Sequence, residues 1–170
     1  YPYLASVPYI VHGQMGLPIS SIGWFAASTI VGASLGTFLT RRMSGRWPAD
    51  RFLLLGAGLG LVMAVTLLVF HWLGWLTPVW LLAITVTMTF GAGFASPAAL
   101  GSALSAVPSL VGSGAGLYGF GQMAMGAVGT LLVGHGDDPV VSCAVTQICI
   151  TALALASFRF ARAHGVYSRP

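Results

Sequence analysis

The sequence predicts an all-α integral membrane protein, built as a bundle of transmembrane helices. Only 6% of its 170 residues are charged and 56% are apolar, whereas about 25% of the residues in a soluble domain are charged. The mean hydropathy is +0.88. The basic residues are all Arg, and they lie with the three Asp residues outside the long apolar runs or, for Arg159, at the end of one. The bilayer is therefore the expected solvent for most of this chain, and the net charge of +4 belongs to its loops and tail.

Five apolar runs are long enough to cross a bilayer, because a hydrocarbon core of about 30 Å requires about 20 residues at a rise of 1.5 Å each. A further apolar segment, Tyr1–Gln14, is too short to span alone, and we interpret it as the closing half of a helix that begins upstream. The sequence thus predicts six spans, the first of them incomplete, in a protein that is longer than this chain. The five full spans are Ile19–Thr40, Phe52–Trp72, Val79–Leu104, Val111–Val133 and Val140–Phe160.

Charges in the connecting segments predict the orientation. Four Arg residues lie between Arg41 and Arg51 and three more at the C-terminal end, whereas residues 134–139 carry His135, Asp137 and Asp138. Short Arg-rich loops remain in the cytoplasm. We therefore expect the Arg41–Arg51 segment and a tail at 161–170 to be cytoplasmic, and residues 14–18, 71–78 and 134–139 to face outside.

A weak internal repeat relates the two halves of the chain. Ser6-Val7-Pro8 recurs as Ala95-Ser96-Pro97, and Gly32–Thr37 recurs as Gly126–Thr130. The offset corresponds to three spans, an odd number, so the two copies would lie inverted in the membrane. Inverted repeats of this kind are the plan of many secondary transporters.

Glycine and proline are the residues expected to shape the helices. The chain has 23 glycines, and small residues allow transmembrane helices to approach closely. We predict helix packing or an interface at Gly32, Gly36, Gly112 and Gly116. Pro97 lies deep enough to kink its span, and Pro108 is expected to start the next helix.

Among the polar residues at membrane depth, Gln122 would cost the most free energy if its side chain faced lipid. Its amide requires a partner or water, which indicates a protein seam or a wet cavity. Tyr118 and Met125 share its helix face. Two interpretations remain open: the three side chains line a cavity for an apolar ligand, or they provide an interhelical hydrogen bond and ordinary packing.

Several function classes have little support. Cys143 and Cys149 share one apolar run without disulfide or zinc spacing, so no metal, cofactor or redox role is indicated. Nucleic-acid binding is equally unsupported. A rhomboid-like protease would require a Gly-x-Ser-Gly box and a His at membrane depth, and the segment Val111–Gly114 lacks the first glycine. We therefore predict that the chain is not an enzyme. The spans hold no carboxylate, so an acid for proton coupling would lie in another part of the protein.

The segments Gly91–Leu100 and Gly112–Gln122, with Pro108 between them, resemble the tenth and eleventh helices of major facilitator transporters. The branch that these segments resemble is the Bcr/CflA group of drug:proton antiporters. Ala5–Val11, followed by Gly16-Leu17-Pro18, is similar to the seventh helix of that group. Gly36 with Arg41, Arg42 and Arg46 resembles the cytoplasmic loop signature, although the usual Asp beside the basic pair is absent.

This resemblance implies that residues 1–170 form the C-terminal half, spans seven to twelve, of a carrier in the bacterial inner membrane. Such a carrier exports small amphipathic compounds or drugs in exchange for protons. Its partners would be lipid, the N-terminal half, protons and the substrate, and the spans 19–40 and 111–133 would face the missing half. A non-transporting membrane module or assembly partner is the alternative. The implied substrate cavity comprises Tyr3, Tyr9, Met88, Phe90, Phe94, Tyr118 and Gln122.

Overall fold

The computed structural model describes residues 2–106 and 111–163 as a bundle of helices, in agreement with the predicted fold class. Five helices are long and apolar enough to cross a membrane, and no end differs from the predicted spans by more than three residues. Pro108 and the tail from residue 164 lie outside the described residues. The elements are α1 (Pro2–Pro8), a π-helical segment (Tyr9–Gln14), α2 (Ser21–Met43), α3 (Ala49–Trp72), α4 (Pro78–Ala106), α5 (Val111–Gly134) and α6 (Pro139–Ala163).

Proline and glycine mark most of the helix ends. Pro48 precedes α3 in an extended conformation, while Pro78 and Pro139 are the first residues of α4 and α6. The missing N–H of proline costs nothing in a first turn. Gly45, which follows α2, has φ +93°, a conformation that other residues adopt only with strain. These residues stop and restart the helices within short connections.

The Arg-rich connection is shorter than the sequence predicts. Arg41 and Arg42 lie in the last turn of α2, and Asp50 lies in the first turn of α3. Each charge complements the helix dipole at its end, which stabilises the additional turn. At the other end of the chain, α6 continues past Phe160 to Ala163, so any tail begins after that residue.

Helix α4 lies between α2 and α3 and packs closely against both. A Cβ atom added to Gly36 would lie 2.9 Å from the backbone nitrogen of Phe94, and one added to Gly91 would lie 2.7 Å from the carbonyl oxygen of Gly56. Gly32 likewise contacts α4, at Thr89. These glycines therefore allow backbone-to-backbone contact, as small residues do in membrane helix pairs.

Two threonines of α2 bond to the backbone of α4 beside Pro97. Proline has no N–H, so the Gly93 carbonyl, four residues earlier, has no intrahelical donor. The Thr37 hydroxyl donates to that carbonyl at 3.2 Å, and the Thr40 hydroxyl donates to the Phe94 carbonyl at 3.0 Å. A neighbouring helix thus satisfies the backbone group that proline exposes, and α4 remains helical from Pro78 to Ala106.

The apolar core lies where α1 and its π-helical continuation meet the first turns of α4 and α6. It includes Val7, Ile10 and Val11, all nearly inaccessible, together with Leu81 and Val140. Because α1 is only seven residues long, this burial rather than its own hydrogen bonds holds it in place.

Candidate substrate cavity

Two of the predicted site residues, Tyr118 and Gln122, line a cavity of about 280 Å³ between α3, α4, α5 and α6. They are one helical turn apart, so they face it from the same side of α5. The remaining walls are apolar apart from Ser96. They consist of Leu53, Ala57, Ala92, Ala95, Ala99, Ala154, Leu155 and Phe158.

A hydrogen bond between Tyr118 and Ser96 joins α5 to α4 at this cavity. The two hydroxyl oxygens are 3.0 Å apart, and the Tyr118 hydroxyl also lies 3.4 Å from the Ser96 carbonyl oxygen. The phenol is thereby satisfied inside the bundle. The sequence places both groups at membrane depth, but it does not pair them, because the contact joins residues on different helices.

Gln122 has no such partner among the residues that the structure describes. It lies at the midpoint of the 24-residue helix α5, on an exposed face, and within the described residues its amide makes no hydrogen bond. An amide at the middle of a bilayer requires water or a polar partner. Met125, predicted to share this face, is exposed as well.

Tyr3 and Met88 are brought together, but in the apolar core and away from Tyr118 and Gln122. Tyr3 is 3% exposed, and its hydroxyl has no hydrogen-bond partner among the described residues. Thr85, which is buried on the same helix as Met88, uses its hydroxyl to donate a hydrogen bond to the Leu81 carbonyl, at 2.7 Å. Tyr3 and Met88 therefore contact protein in this conformation.

The remaining aromatic candidates occupy two further places. Phe90 and Phe94 stack with ring centroids 5.8 Å apart, and Phe94 also contacts the edge of Phe52 at 5.0 Å. Tyr9, on the π-helical segment, is 66% exposed. The predicted residues thus lie in separate groups within the described part of the chain and do not line one common pocket there.

Sequence reasoning missed a polar cluster at the predicted outer end of the bundle. Gln14 Nε2 donates to Asp138 Oδ1 at 3.1 Å, and His71 Nε2 lies 2.9 Å from Asp138 Oδ2. The backbone N–H groups of Val140 and Val141 also donate to Oδ1, at 2.8 and 3.2 Å. Partial burial acts to raise the pKa of Asp138. The hydrogen bonds from Gln14, Val141 and Val140 and the charge of His71 outweigh that burial and lower the pKa.

The signal for this cluster is present in the sequence as Asp138-Pro139. An Asp immediately before a Pro at the start of an apolar run is typical of a helix N-cap. The partners Gln14 and His71 are distant in sequence, so the same signal does not identify them.

Comparison with known proteins places the chain in a family. Residues 2–130 match the family model of the Major Facilitator Superfamily, which is more than half of the chain. Searches of the curated proteins and of the solved structures found no match to this chain. The matched region contains α1, the π-helical segment, α2 to α4 and most of α5, which together carry all seven of the predicted cavity residues. The chain is therefore a multi-pass membrane protein that belongs to the Major Facilitator Superfamily, a family of membrane transporters.

Proposed function

We propose that this chain is the C-terminal half of a secondary transporter that exports small amphipathic compounds from bacteria by proton-driven alternating access. The resemblance to drug:proton antiporters motivates the substrate class and the coupling ion. The N-terminal half would supply the acid for proton coupling, and the central path would run between the two halves.

The observation that carries this proposal is the position of Gln122. Its amide lies at the midpoint of α5, on an exposed face, and bonds to no described residue. If lipid covered that face, the unbonded amide would cost about 2–7 kcal/mol. The wet path of a carrier provides water to the amide when the site is empty and leaves it available to a substrate when the site is occupied.

The surface of α5 supports a second half as its neighbour. Gly112 and Gly116 have no atom within 4 Å of an added Cβ, and Leu117 and Phe120 are each 72% exposed. A helix with exposed small residues beside exposed large ones offers both ridges and grooves to another helix surface.

Tyr9, Tyr118 and Gln122 are the residues that we place against the substrate. Tyr9 and Gln122 are exposed, and Tyr118 combines a ring with a hydroxyl held by Ser96. Phenol faces attract cations by about 0.5–2 kcal/mol, which suits weakly basic amphipathic compounds. Tyr3 and Met88 lie in the apolar core, and Phe94 packs against Phe90 and Phe52, so we do not place these side chains against the substrate.

The test is a transport assay in cells that produce the complete transporter. We expect Tyr9→Ala and Gln122→Ala to change the spectrum of exported compounds while membrane abundance stays constant. Gln147→Ala is the matched control, because Gln147 is also an amide within a span but does not line the cavity. A loss of abundance with an unchanged spectrum would show that these side chains serve packing only.

Proton coupling is tested in proteoliposomes with an imposed pH gradient. We expect export to stop when the gradient is collapsed. Transport that continues unchanged would refute coupling to protons, and absence of transport for every compound would favour a non-transporting membrane module.

A further inference from the structure

A second and larger cavity lies along the C-terminal part of α4, where it meets the end of α2 and the start of α3. Its volume is about 560 Å³, within the range of about 300–1,000 Å³ that is usual for small-molecule sites. It shares no lining residue with the cavity at Tyr118 and Gln122. The lining consists of Thr37, Thr40, Arg41, Ser44, Trp47, Ala49, Phe52, Pro97, Ala98, Gly101, Ser102 and Ser105.

The polar groups left unused in this cavity are all able to donate hydrogen bonds. The Thr37 and Thr40 hydroxyls already donate to carbonyls of α4. Arg41, Ser44 and Ser102 have no side-chain hydrogen bond or ion pair with a described residue. Among the described residues that line the cavity, Arg41 alone is charged. Guanidinium and hydroxyl donors that line one cavity, with no carboxylate among the described lining residues, suit an anion with several acceptor oxygens, such as a phosphate.

The position of the cavity along the membrane normal favours a lipid headgroup as the source of this anion. Arg41 follows the first residue of α2, Ser21, by about 30 Å of helix at 1.5 Å per residue, which is the thickness of the hydrocarbon core. With Ser21 at one boundary of that core, we infer that the guanidinium lies at the level of the lipid headgroups at the other boundary. Trp47, beside it in the lining, is a residue type that favours the same level.

The deeper wall of the cavity is apolar. Phe52 is buried and packs against Phe94, and it lines the cavity together with Pro97 and Ala98. A free inorganic anion would leave this wall without a contact. A ligand that joins a phosphate to an apolar stem would fill both parts.

We propose that this cavity binds the headgroup of an anionic glycerophospholipid. The guanidinium of Arg41 holds the phosphate oxygens, Ser44 and Ser102 donate the remaining hydrogen bonds, and the glycerol and upper acyl carbons lie on Phe52 and Pro97. The site uses donors that the helix packing leaves free, and it is separate from the substrate path proposed above.

The experiment measures lipid binding to the purified protein in detergent, by native mass spectrometry with phosphatidylglycerol, phosphatidylcholine and inorganic phosphate as separate probes. We expect phosphatidylglycerol to bind more tightly than phosphatidylcholine. Arg41→Gln should weaken phosphatidylglycerol binding about tenfold or more, as the loss of a charge-assisted hydrogen bond implies. It should weaken phosphatidylcholine binding less, because the choline cation is repelled by the guanidinium and offsets part of its attraction to the phosphate. Arg42→Gln is the control, because Arg42 is the adjacent exposed residue and does not line the cavity.

A second variant tests the cavity without altering its charge. Nothing lies within 4 Å of a Cβ added to Gly101, so Gly101→Leu should fold normally and fill the cavity, thereby abolishing phosphatidylglycerol binding. Equal losses in Arg41→Gln and Arg42→Gln, or full binding by Gly101→Leu, would overturn the proposal. Inorganic phosphate that binds as tightly as phosphatidylglycerol would show an anion site in which the apolar wall has no role, and it would overturn the lipid assignment.

Discussion

At the scale of single residues, Pro97 of α4 and Thr37 of α2 are coupled through the carbonyl of Gly93. Proline removes a donor from α4, and Thr37 replaces it from α2. Each residue therefore determines how much the other contributes to stability.

We expect Thr37→Val to lower the stability of the protein in detergent by about 1 kcal/mol, because the Gly93 carbonyl then loses its donor. In a Pro97→Ala background the same change should cost much less, since the introduced alanine supplies a backbone N–H to that carbonyl. Thermal unfolding of the two single variants and the double variant measures this coupling. Thr87→Val is the control, because the Thr87 hydroxyl bonds within its own helix. Equal losses from Thr37→Val in the wild-type and Pro97→Ala backgrounds would refute the coupling.

The sequence alone does not predict which glycines contact another helix. Gly32, Gly36, Gly112 and Gly116 look alike in the sequence, yet the first two contact α4 and the last two face open space. In α3, α4 and α5 the apolar residues are spread around the whole helix, so no stripe marks the buried face. A consequence is that Gly32→Leu would damage the packing within this chain and does not report on assembly with another half.

At the scale of elements, the start of α6 is tied to two distant parts of the chain by Asp138. The carboxylate caps the first turn of α6 through the N–H groups of Val140 and Val141. It also accepts hydrogen bonds from Gln14, at the end of the π-helical segment, and from His71, at the end of α3. One side chain therefore positions three helix ends.

We expect Asp138→Ala to destabilise the protein by about 1 kcal/mol, the usual cost of losing an N-cap, and Asp138→Asn to retain most of the cap. Asp137→Ala, at the exposed neighbouring position, should have little effect. Because the pKa of Asp138 is lowered on folding, its ionised form contributes stability above its unfolded pKa of about 3.9. That contribution is lost as the pH falls through the lower folded value.

Thermal unfolding from pH 7 to pH 3 measures this dependence. Acid should lower the melting temperature of the wild type more than that of Asp138→Asn, which has no carboxylate to protonate. Parallel pH profiles for the two proteins would contradict the assignment.

The helices themselves were the most predictable elements. Hydropathy determines where a span fits the bilayer, and prolines at positions 48, 78 and 139 sharpen the starts. The α6 cap was recognisable in principle from Asp138-Pro139. The contact of Asp138 with Gln14, 124 residues away in the chain, depends on how α1 packs on α6, which the local sequence does not encode.

At the scale of the whole molecule, charge predicts which end of the bundle faces the cytoplasm. Arg41, Arg42, Arg46 and Arg51 lie at the end where α2 meets α3, and Asp137 and Asp138 lie at the opposite end, between α5 and α6. Loops rich in Arg remain inside. The end that holds the proposed lipid cavity is therefore predicted to be cytoplasmic.

Cysteine labelling of intact cells tests this orientation, with Cys143 and Cys149 first replaced by Ala. We expect Asp137→Cys to react with a membrane-impermeant maleimide from outside, and Ser44→Cys to react only after the membrane is opened. Position 137 is preferable to Gly136, where an added side chain would collide with Ser142. Labelling of Ser44→Cys from outside would show that the predicted orientation is wrong.

The backbone contacts of α4 have a consequence for how this sequence can diverge during evolution. At Gly36, Gly56, Gly91 and Gly93, even one added methyl group would overlap the backbone of a neighbouring helix, so related sequences should retain glycine there or change both partners together. At Gly58 the surrounding space is open, and alanine, which favours helix by about 1 kcal/mol over glycine, should be common. The pattern of accepted substitutions among relatives would then record which helices touch.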